Sequence, residues 1–524
     1  MVTTYVTGNC GPNVSYSRAG APDTRCHAGF HAQRRSRTKD FQVAGGFKGL
    51  VGGWDYDISS TWGEDDSTLN ANNTLNPSWG PTSPTSFNLA SQIFDQWTNN
   101  LDLSRRFDIG LAHPLQTAFG FEYRWEKYQI EAGDYASYTP GNYVLPSGPF
   151  AGQTPLPGLA SYNGTSTADA GEISRSNVAS YVDLGLDVTD KWYVGAAARY
   201  ERYTQDIGST WSGKLSTRYK ITPEFALRGT VNNGFRAPSL AQTIYASSTF
   251  TSGGVINGEQ VSVPVKVLPV DTPEAQALGA EKLKPEKSLN YSFGFTYEPT
   301  QNYRLTTDLY QVGSRDRSVS TSLLGGPAVS QVLVANGLSP GLYAQYYTNA
   351  VDTRTRGVDI VGKYNLDLAQ YGALSLSAGY TKARTTIEKV HENPNGFDIL
   401  TREARGFLEH GYPEDKLVLG ATHRIGAWTI ALSETRYGKY RKYAASEANA
   451  QYDQTFSAQW NTDLDVNYAF TKQLRVSVGV NNLFDSKPDD YNTRLRQTPG
   501  QQYSYLSPSA PEGAFYYTRL SYDF

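Results

Sequence analysis

The chain has 524 residues, with 47 Lys+Arg against 50 Asp+Glu, 37 Tyr, 49 Gly and a single Met. A net charge of −3 argues against a protein living on nucleic-acid phosphates, so no nucleic-acid partner is expected. Hydrophobic residues at 39% beside aromatics at 13% fit neither a disordered chain nor a helical enzyme, and the composition reads as all-β.

No stretch reaches the ~18–20 apolar residues of a membrane helix. Met1-Val2-Thr3-Thr4-Tyr5 shows neither the charged nor the apolar region of a signal peptide. Cys10 and Cys26 would close a 17-residue loop if paired, a disulfide worth roughly 3 kcal/mol by loop entropy; two free thiols are the alternative. His27 and His31 lie four apart beside Cys26, but turn residues flank them and no helix aligns them. A surface loop, with no metal site, is the reading there. Arg34, Arg35, Arg37 and Lys39 form a local basic run suited to a charged rim. The run Gly63-Glu64-Asp65-Asp66 is expected to begin a long loop.

Period-2 alternation then dominates. Leu115, Thr117, Phe119, Phe121, Tyr123 and Trp125 oppose Gln116, Ala118, Gly120, Glu122, Arg124 and Glu126. Leu289, Tyr291, Phe293, Phe295 and Tyr297 alternate with Asn290, Ser292, Gly294, Thr296 and Glu298. Trp460, Leu464, Val466, Tyr468 and Phe470 repeat the pattern, as do Leu474, Val476, Val478 and Val480. The predicted strands are 2–8, 38–49, 53–63, 94–105, 115–128, 176–188, 191–204, 208–221, 224–235, 287–298, 302–312, 345–364, 372–384, 416–425, 427–440, 459–470, 473–483 and 514–524.

A soluble sandwich also alternates, but two features favour a transmembrane barrel. The apolar faces end in aromatics, as at Tyr123 and Trp125 or Trp428 and Trp460, the girdle expected at membrane interfaces. Connections also alternate between short turns, such as Gly52-Gly53 and Gly426, and long loops near 65–92, 132–174, 237–286, 314–342, 386–413, 442–457 and 486–512. Short periplasmic turns with long extracellular loops are the outer-membrane rule. A mean hydropathy of −0.49 is no objection, because a closed sheet satisfies its backbone internally and only alternate side chains must be apolar. The final strand keeps Tyr516, Thr518, Leu520, Tyr522 and Phe524 on one face and Arg519 and Asp523 on the other. Its terminal Phe524 resembles the signal read by the barrel assembly machinery.

Four motifs add a family resemblance. Gly234-Phe235-Arg236-Ala237-Pro238-Ser239-Leu240 leaves one strand and Leu283-Lys284-Pro285-Glu286 enters the next. Thr355-Arg356-Gly357-Val358-Asp359 lies in a strand, and Asn481-Asn482-Leu483-Phe484-Asp485 ends the penultimate one. In this order they resemble the TonB-dependent outer-membrane receptors. The motif residues read as barrel construction: Pro238 and Pro285 sit where no ladder hydrogen bond is needed, Arg236 and Glu286 suit a pair across adjacent strands, and Asp359 should face the lumen. The resemblance implies a barrel of 22 strands closed by an N-terminal plug that engages the TonB energy-coupling complex. With about 18 strands found, residues 1–524 are expected to be one barrel domain, N-terminally incomplete and without its plug.

No G-x-S-x-G, H-E-x-x-H or Walker motif occurs in the sequence, so neither catalysis nor a cofactor is expected, and lumen-face Asp and Glu show no partner at readable spacing. The candidate ligand residues are in the loops: Tyr437, Tyr440, Arg441 and Tyr443 with Lys442, then Tyr491, Arg494, Arg496, Tyr503 and Tyr505, with Tyr135, Tyr138, Tyr143 and Phe150 in an earlier loop. Tyr and Arg supply stacking faces and charge-assisted donors for a large polar anionic ligand. A ferric siderophore fits that chemistry, as do haem or an oligosaccharide, and an aromatic girdle with rim charge on lipopolysaccharide phosphates is the plainer alternative. The resemblance implies a ferric siderophore imported by TonB-dependent active transport at the Gram-negative outer membrane, among lipid and lipopolysaccharide. A passive pore without a plug and a soluble all-β carbohydrate-binding protein are the alternatives.

Overall fold

The computed structural model describes residues 2–8, 17–18, 21–22, 30–111, 113–147, 151–155, 157–159, 163–204, 207–256, 259–495 and 502–523, and side chains from residue 32 onward except 250–263. Cys10, Cys26, His27, Phe150, Arg496 and Phe524 lie outside the described residues, as does the side chain of His31.

The described chain forms one antiparallel ladder. Its strands are β1 (Val2–Gly8), β2 (Phe30–Val51), β3 (Trp54–Asn72), β4 (Ser86–Phe107), β5 (Leu115–Ala132), β6 (Gly171–Thr189), β7 (Trp192–Tyr203), β8 (Gly208–Lys220) and β9 (Phe225–Arg236). They continue as β10 (Glu286–Thr300), β11 (Tyr303–Ser320), β12 (Tyr343–Asp367), β13 (Ala373–Val390), β14 (Asp415–Ile425), β15 (Trp428–Tyr437), β16 (Gln459–Ala469), β17 (Leu474–Asn481) and β18 (Phe515–Tyr522). Each strand pairs with the next in sequence, from β1–β2 through β17–β18. Among the described residues no register joins β18 back to β1, so the wall is an antiparallel ladder with one seam.

The strands match the sequence expectation one for one, and several of them, the early ones above all, run further. β2 begins at Phe30 instead of 38 and β3 runs to Asn72 instead of 63. Beyond the apolar girdle the backbone ladder continues with polar side chains on both faces, and the alternation that marks a strand fades there. The acidic run at Glu64-Asp65-Asp66 is therefore within β3 rather than a loop tip, with Asp66 3.8 Å from the Lys39 ammonium.

The apolar face of this wall is uncovered. Phe47 is 79% exposed and Leu520 70%, and Phe119, Phe121, Phe293, Trp211, Trp428 and Tyr516 are also exposed on the alternate positions expected. In water such a surface is an aggregation liability; in a bilayer it is the solvated face. Buried apolar clusters lie instead in the long connections. One unites Leu268, Leu278, Leu333 and Tyr346 from the loops after β9 and β11 with the start of β12. Another joins Phe87 and Leu89 to Ala136 and Leu159. Within the loop after β9, a hairpin of Ser247–Ile256 and Glu259–Leu268 lays its second strand parallel to Tyr343–Tyr346 of β12.

Candidate ligand-binding site

The lumen face carries a continuous ionic network. Arg175 Nε on β6 lies 2.8 Å from Glu126 Oε2 on β5. Arg124 reaches Glu122 at 2.5 Å and Glu126 at 3.7 Å. Arg199 on β7 binds Glu201 at 2.6 Å and Glu122 at 3.3 Å. Tyr203 and Asn177 donate to the same Glu201 carboxylate at 2.9 and 3.2 Å. The lumen carboxylates are thus paired, correcting the sequence expectation: Arg124 and Arg199 sit two residues from Glu122, Glu126 and Glu201 on the same strands, and Arg175 and Arg199 reach Glu126 and Glu122 from other strands.

The motif residues attach the loops to this network. Arg175 donates to the Pro238 carbonyl at 2.5 Å. Ser239 and Gln242 form a reciprocal capping box that starts a short helix, Leu240–Ile244, packed on Tyr128 and Ile130. Phe235 meets Tyr203 edge-on at 6.0 Å, and Arg236 lies 3.7 Å from Glu286, the residue opposite it in the ladder. Glu286 also accepts the Ser318 N–H at 3.1 Å, and Pro285 precedes it where the loop rejoins β10. Gly357 lies beneath the Tyr310 ring, leaving no room for a Cβ. Asp359 is paired in register with Asp308, which Arg228 holds through two guanidinium nitrogens. Asn482, at φ +54°, exchanges side-chain bonds of 2.8 Å with the backbone of Ser486. Asp485 accepts the Ala514 N–H at 2.8 Å and so joins the two ends of the last loop, while Phe484 is exposed.

The three loops after β13, β15 and β17 fold together into a cap. A helix α1 (Arg402–His410) in the first meets a short ladder of Tyr440–Lys442 with Gln454–Phe456 in the second. Tyr440 stacks on Phe456 at 4.4 Å with planes 5° apart, and Tyr491 packs 6.0 Å from the same ring. Arg402 grips Asp453 with two bonds of 2.7 and 2.6 Å and reaches Glu447 at 2.9 Å. The Tyr443 ring lies 4.6 Å from the Arg402 guanidinium and 4.9 Å from that of Arg441. Lys442 is buried, with its ammonium on Glu403 and 3.0 Å from the Tyr505 hydroxyl.

Hydrogen bonds from Arg402, opposed by burial, hold the Asp453 carboxyl below its ordinary range. Such a group stabilises the fold above its unfolded pKa of about 3.9, and that contribution disappears as pH falls through the lower folded value. The cap transition in calorimetry is expected to hold steady from about pH 8 to about pH 5 and to drop below about pH 4. Asp453→Asn should remove that acid dependence.

The structure divides the sequence candidates. Tyr440 and Tyr491 are buried in the core of the cap, and burial pushes the Tyr440 hydroxyl up to about 12. Both sit in loops dense with Tyr, where sequence gives no period to separate inside from outside. Tyr437 lies under the Lys416 ammonium at 5.1 Å. Tyr503 pairs by an isolated bridge with Asp490. Arg441, Arg494 and Tyr505 remain exposed, with Arg494 5.8 Å from the Tyr452 ring. Of the earlier loop, Tyr135 packs edge-on against Trp79 at 6.2 Å and Tyr138 at 5.9 Å.

An antiparallel wall with a bare apolar face, short turns at one end and a folded cap of long loops at the other has the architecture of a transmembrane β-barrel. A family described as TonB dependent receptor-like, beta-barrel, matches residues 3–483, and the chain belongs to that family of Gram-negative outer-membrane receptors and transporters, not to a family of enzymes. It is 23% identical over 365 residues to a probable TonB-dependent siderophore receptor, PirA, of Acinetobacter baumannii, covering 67% of this chain and 43% of that relative. The chain therefore spans less than half the length of that curated relative. Among solved structures, the outer membrane transporter YddB of Escherichia coli aligns with a TM-score of 0.64 at 13% identity, covering 94% of this chain and 64% of that one. The crystal structure of the siderophore receptor PirA from Acinetobacter baumannii aligns at 0.58 with 18% identity, covering 94% and 63%. At these identities the solved structures establish the shared fold.

Proposed function

We propose that this chain forms the barrel of an outer-membrane importer that captures a ferric siderophore on its extracellular loop cap. The observation that carries the reading is the cap itself, folded around a Tyr–Phe–Tyr core and presenting Arg441, Arg494 and Tyr505 to solvent. Guanidinium groups and a phenol ring are matched to a large anionic chelate by charge-assisted bonding and stacking. The relatives named as siderophore receptors support the same ligand class. In this reading residues 1–524 are a single barrel domain, and passage inward is powered by the TonB complex through a plug domain. The apolar face contacts outer-membrane lipid, the basic rim meets lipopolysaccharide, and the C-terminal strand engages the barrel assembly machinery.

Uptake of ⁵⁵Fe from a panel of siderophores by cells with and without the complete gene tests this. Gene-dependent uptake that stops when the proton gradient is dissipated is expected, and R441A together with R494A should weaken ligand binding roughly tenfold or more, since bonds to charged groups contribute about 1.5–3 kcal/mol each. Uptake that persists without energy would instead identify a passive pore, and no gene-dependent uptake of any chelate would reject the reading.

A further inference from the structure

A second group of polar side chains lies at the outer rim, apart from the Arg–Tyr cap. Asp316 is near the end of β11, Asp352 is in β12, and His391 directly follows β13. One ligand atom from each lies within 4.8 Å of the other two. His391 Nδ1 is 2.8 Å from the Asn349 carbonyl, a contact that places the proton on Nδ1 and leaves a lone pair on Nε2. That Nε2 is 3.3 Å from Asp352 Oδ1. Two lone pairs at such a separation repel one another unless a cation lies between them or the ring takes up a second proton.

The surroundings hold these groups in place. Asp352 Oδ1 accepts the Asp316 N–H at 2.9 Å. Asn349, whose carbonyl orients the imidazole, is itself held: its amide donates to the carbonyls of Asp316 and Lys284 at 2.6 and 2.9 Å and accepts the Lys284 N–H at 2.8 Å. A backbone carbonyl on the far nitrogen is the usual device that sets the tautomer of a metal-bound histidine. A cavity of about 240 Å³, lined by Asp316, Asn349 and His391 among others, opens beside the group and has room for water on the remaining coordination positions. Of the neighbouring cations, Lys284 pairs with Glu281 at 3.2 Å and Arg317 donates to Thr353 at 3.2 Å, while Lys282 lines the same cavity and Lys389 is opposite Asp352 in the ladder.

We propose that Asp316, Asp352 and His391 bind a divalent transition cation of borderline hardness, such as Zn²⁺. One imidazole nitrogen and two carboxylates suit Zn²⁺ better than Ca²⁺ or Mg²⁺, which favour all-oxygen sites. Bound there, the ion ties β11 and β12 to the start of the loop that carries α1, and so steadies one edge of the cap. The site is separate from the chelate-binding surface and does not depend on the importer reading.

The detergent-solubilised chain, stripped of metal, should be titrated with Zn²⁺ by calorimetry and with Co²⁺ by visible absorption at about pH 7.5, where histidine is ordinarily neutral. The expected result is one ion per chain and a Co²⁺ ligand-field band, both lost in D352N and in H391Q while circular dichroism stays unchanged. Stoichiometric binding that survives in both folded variants overturns the proposal. So does the absence of stoichiometric binding to the wild-type chain, a result that needs no variant to fold.

Discussion

Phe456→Ala is expected to unfold the loop cap while leaving the barrel wall intact. Phe456 is 1% exposed, stacks on Tyr440 and touches Tyr491, so its ring is the centre of the cluster that joins the last two long loops. Truncating a buried phenylalanine costs about 3–5 kcal/mol, and the Phe456 ring is what links the apolar residues of these two loops. Limited trypsin digestion should then cut within 438–458, a loop holding Lys439, Arg441 and Lys442, under conditions where the wild-type chain resists. Thermal loss of the strand signal should be unmoved. An unchanged digestion pattern would show that the Phe456 ring does not hold the cap together.

Gly120→Leu is expected to destabilise the wall at its lumen face. Any Cβ at Gly120 would overlap the Tyr181 ring, which crosses β5 to donate to Asp102 at 2.6 Å. The substitution expels that ring and breaks its hydrogen bond, with overpacking alone costing about 1–3 kcal/mol. Gly379, on β13, provides the contrast, because a Cβ added there would meet nothing within 4 Å. Gly379→Ala should leave the melting temperature of the detergent-solubilised protein unchanged or slightly raised, and Gly120→Leu should lower it clearly. The same arrangement recurs where Tyr517 lies over Gly479 to reach Asp465 at 2.9 Å, so Gly479→Leu should repeat the effect.

Alternation made the wall legible. Every predicted strand, from Val2–Gly8 to Phe515–Tyr522, has its counterpart, because lipid on one side and polar side chains on the other impose period two on the residues between the girdles. The motif pair Arg236 and Glu286 was legible too, since a loop's two ends must meet in adjacent strands. Outside the girdle the constraint disappears. The outer reach of β2 and β3 is polar on both faces, so Glu64-Asp65-Asp66 reads as a loop although it is strand. Tyr440 and Arg441 are neighbours in sequence, yet one is core and the other surface, a division made by Phe456 and Tyr491 from elsewhere in the chain. The Glu126–Arg175 pair and the Asp316–Asp352–His391 group were hidden for the same reason: only strand pairing brings such distant residues together.

Site-directed spin labelling along β10 tests most directly whether this ladder spans a bilayer with one face to lipid and one to the lumen. With Cys10 and Cys26 replaced, single cysteines at 288–295 would be labelled in reconstituted protein and probed with oxygen and a water-soluble nickel complex. Oxygen maxima are expected at Leu289, Tyr291, Phe293 and Phe295 and nickel maxima at Ser288, Asn290, Ser292 and Gly294, the register seen in the structure. Uniform access to nickel along the strand, or a period other than two, would contradict a membrane-spanning wall.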